Sequence, residues 1–301
     1  MVKPAVMAIM VALPLLALLM PCAAAGASDG TGTIADTADI VVDFPDPNLE
    51  AAVRSAIGKT SGDIYRSDVG SLSRLTAVGR DINDLTGLEH CTGLNMLRLR
   101  FNRISDLSPL ANLYSLKELY LEENEISDLT PLSGLLGLRY LKLCGNRLSD
   151  ISPLSSLTGL TYLTLTDNEI SDLTPLAGLT GLGRLCLWNN RISDLTPLTG
   201  LPELYRLYLF WNEISDISPL LENSGLGEGD VVQVMGNPLS RESLEVYIPQ
   251  LIERGVACWP YYSAESENGS SVLRFGIIVG VVLVSWLTVG VVVMRRRARA
   301  V

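Results

Sequence analysis

The nonapeptide NEISDLTPL occurs twice, from Asn124 to Leu132 and from Asn168 to Leu176. Close variants start at Asn102 (NRISDLSPL), Asn146 (NRLSDISPL), Asn190 (NRISDLTPL) and Asn212 (NEISDISPL), so the register advances by 22 residues at every step. A period this short constrains the fold more than any other property of the chain. Each unit is a single supersecondary element that cannot bury its own apolar face, and only stacking on neighbouring copies creates a core. Aligned on the asparagine, the unit reads L-x-x-L-x-L-x-x-N-x-I-S-D-L-S/T-P-L-x-x-L-x-x, with six copies between Leu94 and about Ser224. A degenerate copy precedes them through Leu72, Leu75, Ala77, Ile82, Asp84 and Leu85, with Arg80 in place of the asparagine and Gly87 in place of the proline. A partial copy follows, in which Val232, Val234 and Asn237 keep the spacing after a three-residue insertion.

The L-x-L alternation predicts a short strand with its leucines on one face, and stacked units predict a parallel ladder over one apolar column. Asn102, Asn124, Asn146, Asn168, Asn190 and Asn212 stand where the chain leaves the strand. There a side-chain amide can satisfy backbone groups that the ladder no longer serves, so these six form an expected structural asparagine ladder. Ser-Asp ahead of Ser/Thr-Pro suits a capped tight turn, and 22 residues leave room for only a short 3₁₀-like return. The aspartate column from Asp106 to Asp216 could in principle line up calcium ions. Backbone capping explains the position more simply, and no metal or cofactor is expected.

The flanks read as helical end caps. DPNLEAAVRSAIG places Asp46 at a helix start, Leu49, Val53, Ala56 and Ile57 on one face, and Gly58 as a stop. SRESLEVYIPQLIERG has helical spacing from Leu244 to Ile252, with Ser240 as N-cap, Gly255 as C-cap and Pro249 bending or splitting the helix.

The span from Leu72 to Ser224 resembles the 22-residue leucine-rich repeats of internalins, with N-x-I-S-D-L-S-P-L matching at nearly every position. The resemblance implies an α/β solenoid: a leucine-rich repeat horseshoe with short parallel strands on the concave face, 3₁₀ or turn returns, and helical N- and C-terminal caps. It speaks to fold and names no ligand. A protein phosphatase regulator with 22-residue repeats is also similar, but it is intracellular, and the two ends of this chain argue against such a location.

Residues 1–25 combine Lys3, an apolar run and small residues near Ala25 in the layout of a secretory signal peptide. Residues 275–294 are uncharged, and four arginines follow in the tail 295–301, the pattern of a single transmembrane helix with its Arg-rich end in the cytoplasm. The remaining expected divisions are a flexible segment 26–45, an N-terminal cap 46–71, repeats 72–225, a last partial repeat and C-terminal cap 226–262, and a linker 263–274. With Lys3 and the four tail arginines set aside, 18 Lys and Arg face 33 Asp and Glu in the part expected outside the cell. Such a surface repels nucleic acid and anionic lipid.

Catalysis is not expected. His90 is the only histidine, no phosphate-loop pattern occurs, and no Cys/His cluster has zinc spacing. Cys144 and Cys186 lie two coils apart, ~9.6 Å at the strand spacing, beyond disulfide reach. Cys91 and Cys258 belong to opposite ends of the array, so no disulfide is expected.

Positions beside the strand leucines are expected to point onto the concave face. The early coils place Arg98, Arg100, Phe101, Glu118, Tyr120, Glu122 and Glu123 there. The later coils place Tyr140, Tyr162, Trp188, Tyr208, Phe210 and Trp211, side-chain types that dominate binding hot spots. The sequence therefore predicts a membrane-anchored protein that binds a protein or glycan partner at the cell surface through these late aromatics. The alternative is a structural envelope scaffold with no dedicated ligand.

Overall fold

In the computed structural model, residues 39–259 are described. The expected signal peptide (1–25), linker (263–274), membrane span (275–294) and tail (295–301) lie outside the described residues, as does Cys22. Among the described residues no helix is long and apolar enough to cross a membrane.

Nine three-residue strands form one parallel sheet in strict chain order. They are β1 (Arg74–Thr76), β2 (Met96–Arg98), β3 (Glu118–Tyr120), β4 (Tyr140–Lys142), β5 (Tyr162–Thr164), β6 (Arg184–Cys186), β7 (Arg206–Tyr208), β8 (Val231–Gln233) and β9 (Ala257–Trp259). From β1 to β7 each residue pairs with the one 22 positions on, for example Leu119 with Leu141, so the sequence period is the sheet register. The chain returns from strand to strand through 3₁₀ turns such as Thr130–Leu132 and Thr174–Leu176. In the coil that holds β7 the return is instead the short helix α3, Ser218–Glu222.

The leucines and isoleucines at the consensus positions from Leu94 to Leu220 converge on one core. In the coil of β3, Leu116, Leu119, Leu121, Ile126, Leu129, Leu132 and Leu135 are all buried. Truncating any one to alanine would remove packed atoms on the coils to both sides, at a typical cost of ~2–5 kcal/mol.

Each asparagine bridges two coils. Asn124 donates from Nδ2 to Leu121 O in its own coil (3.0 Å) and to Leu99 O in the previous one (3.0 Å), while its Oδ1 accepts from Ile104 N (3.1 Å). The pattern repeats at Asn102, Asn146, Asn168, Asn190 and Asn212. It continues at Asn237, whose amide reaches Leu209 O at 2.8 Å and accepts from Ile214 N at 3.1 Å despite the insertion. Arg80, in the asparagine position of the first coil, bonds through its backbone N–H to Asn102 Oδ1 at 3.0 Å.

The aspartate column caps the returns. Asp106, Asp128, Asp150, Asp172, Asp194 and Asp216 each accept the backbone N–H two residues ahead at 2.8 Å. Hydrogen bonds from the side chain and backbone of Ser108, Thr130 and Thr174 hold the Asp106, Asp128 and Asp172 carboxyls below the usual carboxylate range.

The ends of the array differ in part from the sequence expectation. Helix α1 (Pro47–Ile57) forms where expected, N-capped by Asp46 Oδ1, which accepts from Asn48 N (2.9 Å) and Leu49 N (3.1 Å), and stopped by Gly58 at φ 72°. Asp46 Oδ2 also accepts Asn83 N (2.9 Å) in the first coil, so one carboxylate ties the helix to the ladder. Within the segment expected to be flexible, residues 39–45 are ordered. Val42 and Phe44 alternate into the core, Val42 N bonds Ile64 O at 2.7 Å, and Val41 pairs with Tyr65 in an antiparallel bridge. A further short helix, α2 (Arg66–Gly70), follows.

At the other end the expected helix runs without a break over 241–253. Its stretch Ser243–Tyr247 is π-helical and its last part is α4, Ile248–Glu253, so the wider π turn comes just before Pro249. It does not close the ladder. Helix α4 packs against α3 as the back of one more coil, and β9 follows as a ninth strand that sequence inspection missed.

Asn124→Ala should lower folding stability by ~1–3 kcal/mol, because a buried turn N–H and two carbonyls lose their partner. Urea unfolding followed by circular dichroism measures it, and an unchanged midpoint would remove the bridging role assigned to the amide.

Candidate binding face

The outer face of the sheet is built from the two residues flanking each strand's central buried residue, a leucine in β1–β7, Val232 in β8 and Cys258 in β9. Of these 18 positions in nine strands, five are Lys or Arg, five are Tyr or Trp, and only Glu118 is acidic. Two residues further on, past a second buried leucine, Arg100, Glu122, Cys144, Thr166, Trp188 and Phe210 extend the face coil by coil.

The next residue in each coil is left-handed: Gly79, Phe101, Glu123, Gly145, Asp167, Asn189, Trp211 and Gly236 have φ between 49° and 74°. This column turns the chain away from the strand and delivers the asparagine into the core. Sequence reading places Phe101, Glu123 and Trp211 on the strand face; they stand instead on the rim, in a conformation that suits glycine. A bulky aromatic there costs ~1–3 kcal/mol. Trp211 is 58% exposed and Phe101 43% exposed, so neither recovers that cost by full burial.

The six aromatics singled out from sequence fall into two groups. Tyr140 and Tyr162 are register neighbours with stacked rings 5.8 Å apart. Trp188 meets Trp211 edge-on at 6.0 Å, Phe210 lies 6.4 Å from Trp211, and Tyr208 lies 6.1 Å from Phe210. The Trp211 ring lies over Gly236, where a Cβ would collide with its Cδ1 atom. Between the two groups the face dips to Thr164, Thr166 and Cys186, all buried.

Cations join the groups, a feature sequence inspection did not identify. Lys142 Nζ sits 5.2 Å from the Tyr120 ring and 5.3 Å from the Tyr162 ring. The Arg184 guanidinium lies 5.1 Å from Tyr162 and 5.5 Å from Tyr208. Arg98 lies 4.9 Å from Tyr120. Charge and ring thus alternate along Arg98, Tyr120, Lys142, Tyr162, Arg184 and Tyr208, each contact contributing ~0.5–1 kcal/mol where exposed. The division into charged early coils and aromatic late coils is therefore incomplete: the late coils carry Arg184 and Arg206 beside their rings. Reading residues 22 apart as columns sets Lys142 beside Tyr120 and Arg184 beside Tyr162, while their second rings, Tyr162 and Tyr208, stand in the other column.

In the early coils the charges are partly matched. Glu122 lies 3.7 Å from Arg100 and is half withdrawn from solvent, so burial pushes its carboxyl up against the pull of Arg100, Lys142 and Arg98. The Tyr120 hydroxyl donates to Glu118 at 2.7 Å. At the side of the face, Tyr140, Tyr162, Glu203 and Tyr205 surround a shallow depression of about 380 Å³ floored by Gly181 and Gly183. A Cβ on Gly183 would come within 2.6 Å of the Tyr205 ring, so a side chain there would have to displace that ring.

The groups available to reaction chemistry are few. Cys91, Cys144, Cys186 and Cys258 are free thiols. Burial pushes the Cys91 and Cys258 thiols up to about 12 and Cys144 to about 11, which removes thiolate reactivity near neutral pH. His90 stands away from the face, 3.8 Å from Glu89. Among the described residues no three His, Cys, Asp or Glu side chains converge as a metal site.

Known proteins share this architecture. The family model for leucine-rich repeats (2 copies) matches residues 92–134, 137–178 and 181–222. The crystal structure of internalin C2 from Listeria monocytogenes is 33% identical, covers 72% of this chain and 94% of its own, and superposes with a TM-score of 0.66. The chain belongs to the internalin-type leucine-rich repeat family. A second Listeria monocytogenes internalin, internalin F, is similar at 28% identity over 73% of this chain and 76% of its own, with a TM-score of 0.51. Internalin J from the same species, at 23% identity over 65% of this chain and 51% of its own (TM-score 0.50), shares the fold. No curated protein sequence matches this chain significantly.

In this internalin-type chain, Trp211→Gly should leave the thermal unfolding midpoint unchanged or raise it, because glycine relieves the left-handed strain and little buried area is lost. Differential scanning calorimetry checks it. A fall of several degrees would show that the indole is needed to hold the coil together.

Proposed function

We propose that this chain is a membrane-anchored, extracytoplasmic recognition protein that binds a protein partner through the sheet face of its internalin-type repeats. Membership of the family supports an interaction role, since such repeats serve as protein-binding scaffolds. The observation that carries the reading to these residues is Trp211: a large exposed aromatic held in a left-handed conformation, packed edge-on with Trp188 and beside Phe210. Strain kept at an exposed position that adds little to the core is the pattern expected of a contact surface.

In this reading α1 and the Ser243–Glu253 segment shield the ends of the array, and residues 275–294 anchor it. A structural scaffold without a ligand would need no such aromatic cluster. If the cluster is the hot spot, Trp188→Ala and Trp211→Ala should each weaken a captured protein partner by ~2 kcal/mol or more, while Glu118→Ala changes little. Surface plasmon resonance on immobilised chain reads this, and equal losses at all three sites would remove the assignment.

The proposed topology has its own test. Protease added to intact cells should digest the repeats and leave a small membrane-embedded stub carrying the C-terminal arginines. A protected, full-length array would place it on the cytoplasmic side.

A further inference from the structure

The charge on the sheet face opposes that of the molecule. Residues 39–259 hold 17 Lys and Arg against 29 Asp and Glu, yet the strand face holds five cations and one acid. In the early coils Glu118 and Glu122 moderate this excess. In the late coils nothing does: among the described residues neither Arg184 nor Arg206 has a carboxylate within ion-pair distance. Arg184 is held between the Tyr162 and Tyr208 rings, and its Nε is buried with no acceptor. Arg206 is register-paired with Arg184 on the next strand, and its exposed guanidinium lies 5.9 Å from the Tyr205 ring.

Arg184, half buried with its Nε left without an acceptor, stands beside an exposed second cation, an arrangement that is costly unless an anion joins them. The tyrosine rings fix the Arg184 side chain in place, so little freedom is lost when an acceptor arrives. The tyrosine hydroxyls, lysine and guanidinium groups of this strip are hydrogen-bond donors. The Trp188–Phe210–Trp211 cluster occupies the same two coils and the rim beside them.

We propose that the partner of this face is an acidic polypeptide segment, whose carboxylates engage Arg184 and Arg206 and whose neighbouring apolar or aromatic side chain covers Trp188 and Trp211. This names the class of partner for the protein-binding reading above and rests on it. An acidic peptide fits better than an anionic polysaccharide because the cationic pair adjoins an apolar patch, and one polypeptide supplies both kinds of contact.

The probe is a fluorescein-labelled random copolymer of glutamate and tyrosine, titrated with the full-length chain and followed by fluorescence anisotropy. The lysine–tyrosine copolymer and dextran sulfate serve as competitors of opposite charge and of polysaccharide chemistry. The glutamate–tyrosine copolymer should bind and weaken with rising salt. It should lose about tenfold or more in affinity in Arg184→Gln/Arg206→Gln, and further in Arg184→Glu, with unchanged circular dichroism. Loss in Trp211→Ala as well would join the two contacts. The inference is overturned if the copolymer does not bind, if the double variant binds it equally, if the lysine copolymer binds as well, or if dextran sulfate alone binds. Should a captured protein still depend on Trp211 while the acidic copolymer fails, the protein-binding reading stands and only the acidic character of the partner falls. Indifference of both to Trp211 and to the arginines removes both.

Discussion

Backbone hydrogen bonding at the end of each strand is the constraint on which the whole array depends. A strand of three residues cannot carry its ladder far, and the chain must leave it inside a core that offers no water. The asparagine amide resolves this by presenting one acceptor and two donors to groups on two successive coils. It fixes the turn and also the distance to the next turn, so the 22-residue period is set by where the amide must reach. Asn237 makes the point from the other side. Three inserted residues precede it, yet its amide makes the same bonds, and the insertion is absorbed outside the core.

That dependence explains what was legible in the sequence. Leucine phase, asparagine position and the Ser-Asp-x-Ser/Thr-Pro turn each answer a local requirement that repeats without change, and so six coils and the degenerate ones beside them could be read from residue type alone. The acceptor role of Asp106 and its successors follows from the same reasoning. The N-terminal helix was legible because Asp46, Pro47 and Gly58 are local signals.

What escaped was set by tertiary placement. The alternation of Val42 and Phe44 is too short to announce a paired segment, and it becomes one only because the first coil offers a surface to cover. Strand β9 has three residues and no leucine, so nothing but its register with β8 marks it. Trp211 and Phe101 look like strand-face residues until the left-handed column is seen, since side-chain direction depends on a backbone angle that their identity does not favour. The cations between the tyrosines were overlooked because each is unremarkable alone. Columns of residues 22 apart pair Lys142 with Tyr120 and Arg184 with Tyr162, but the second ring of each, Tyr162 and Tyr208, stands in the other column and is reached only in three dimensions.

The contacts on the sheet face also limit how this protein could change length. From Asn102 to Asn212 every coil meets the same leucine, asparagine and aspartate positions, so in the core one unit resembles the next. The face has no such equivalence, because Lys142 and Arg184 each hold rings that belong to the coils on either side. Deleting either of those coils would leave the core pattern in phase and remove the cation that links its neighbours' rings.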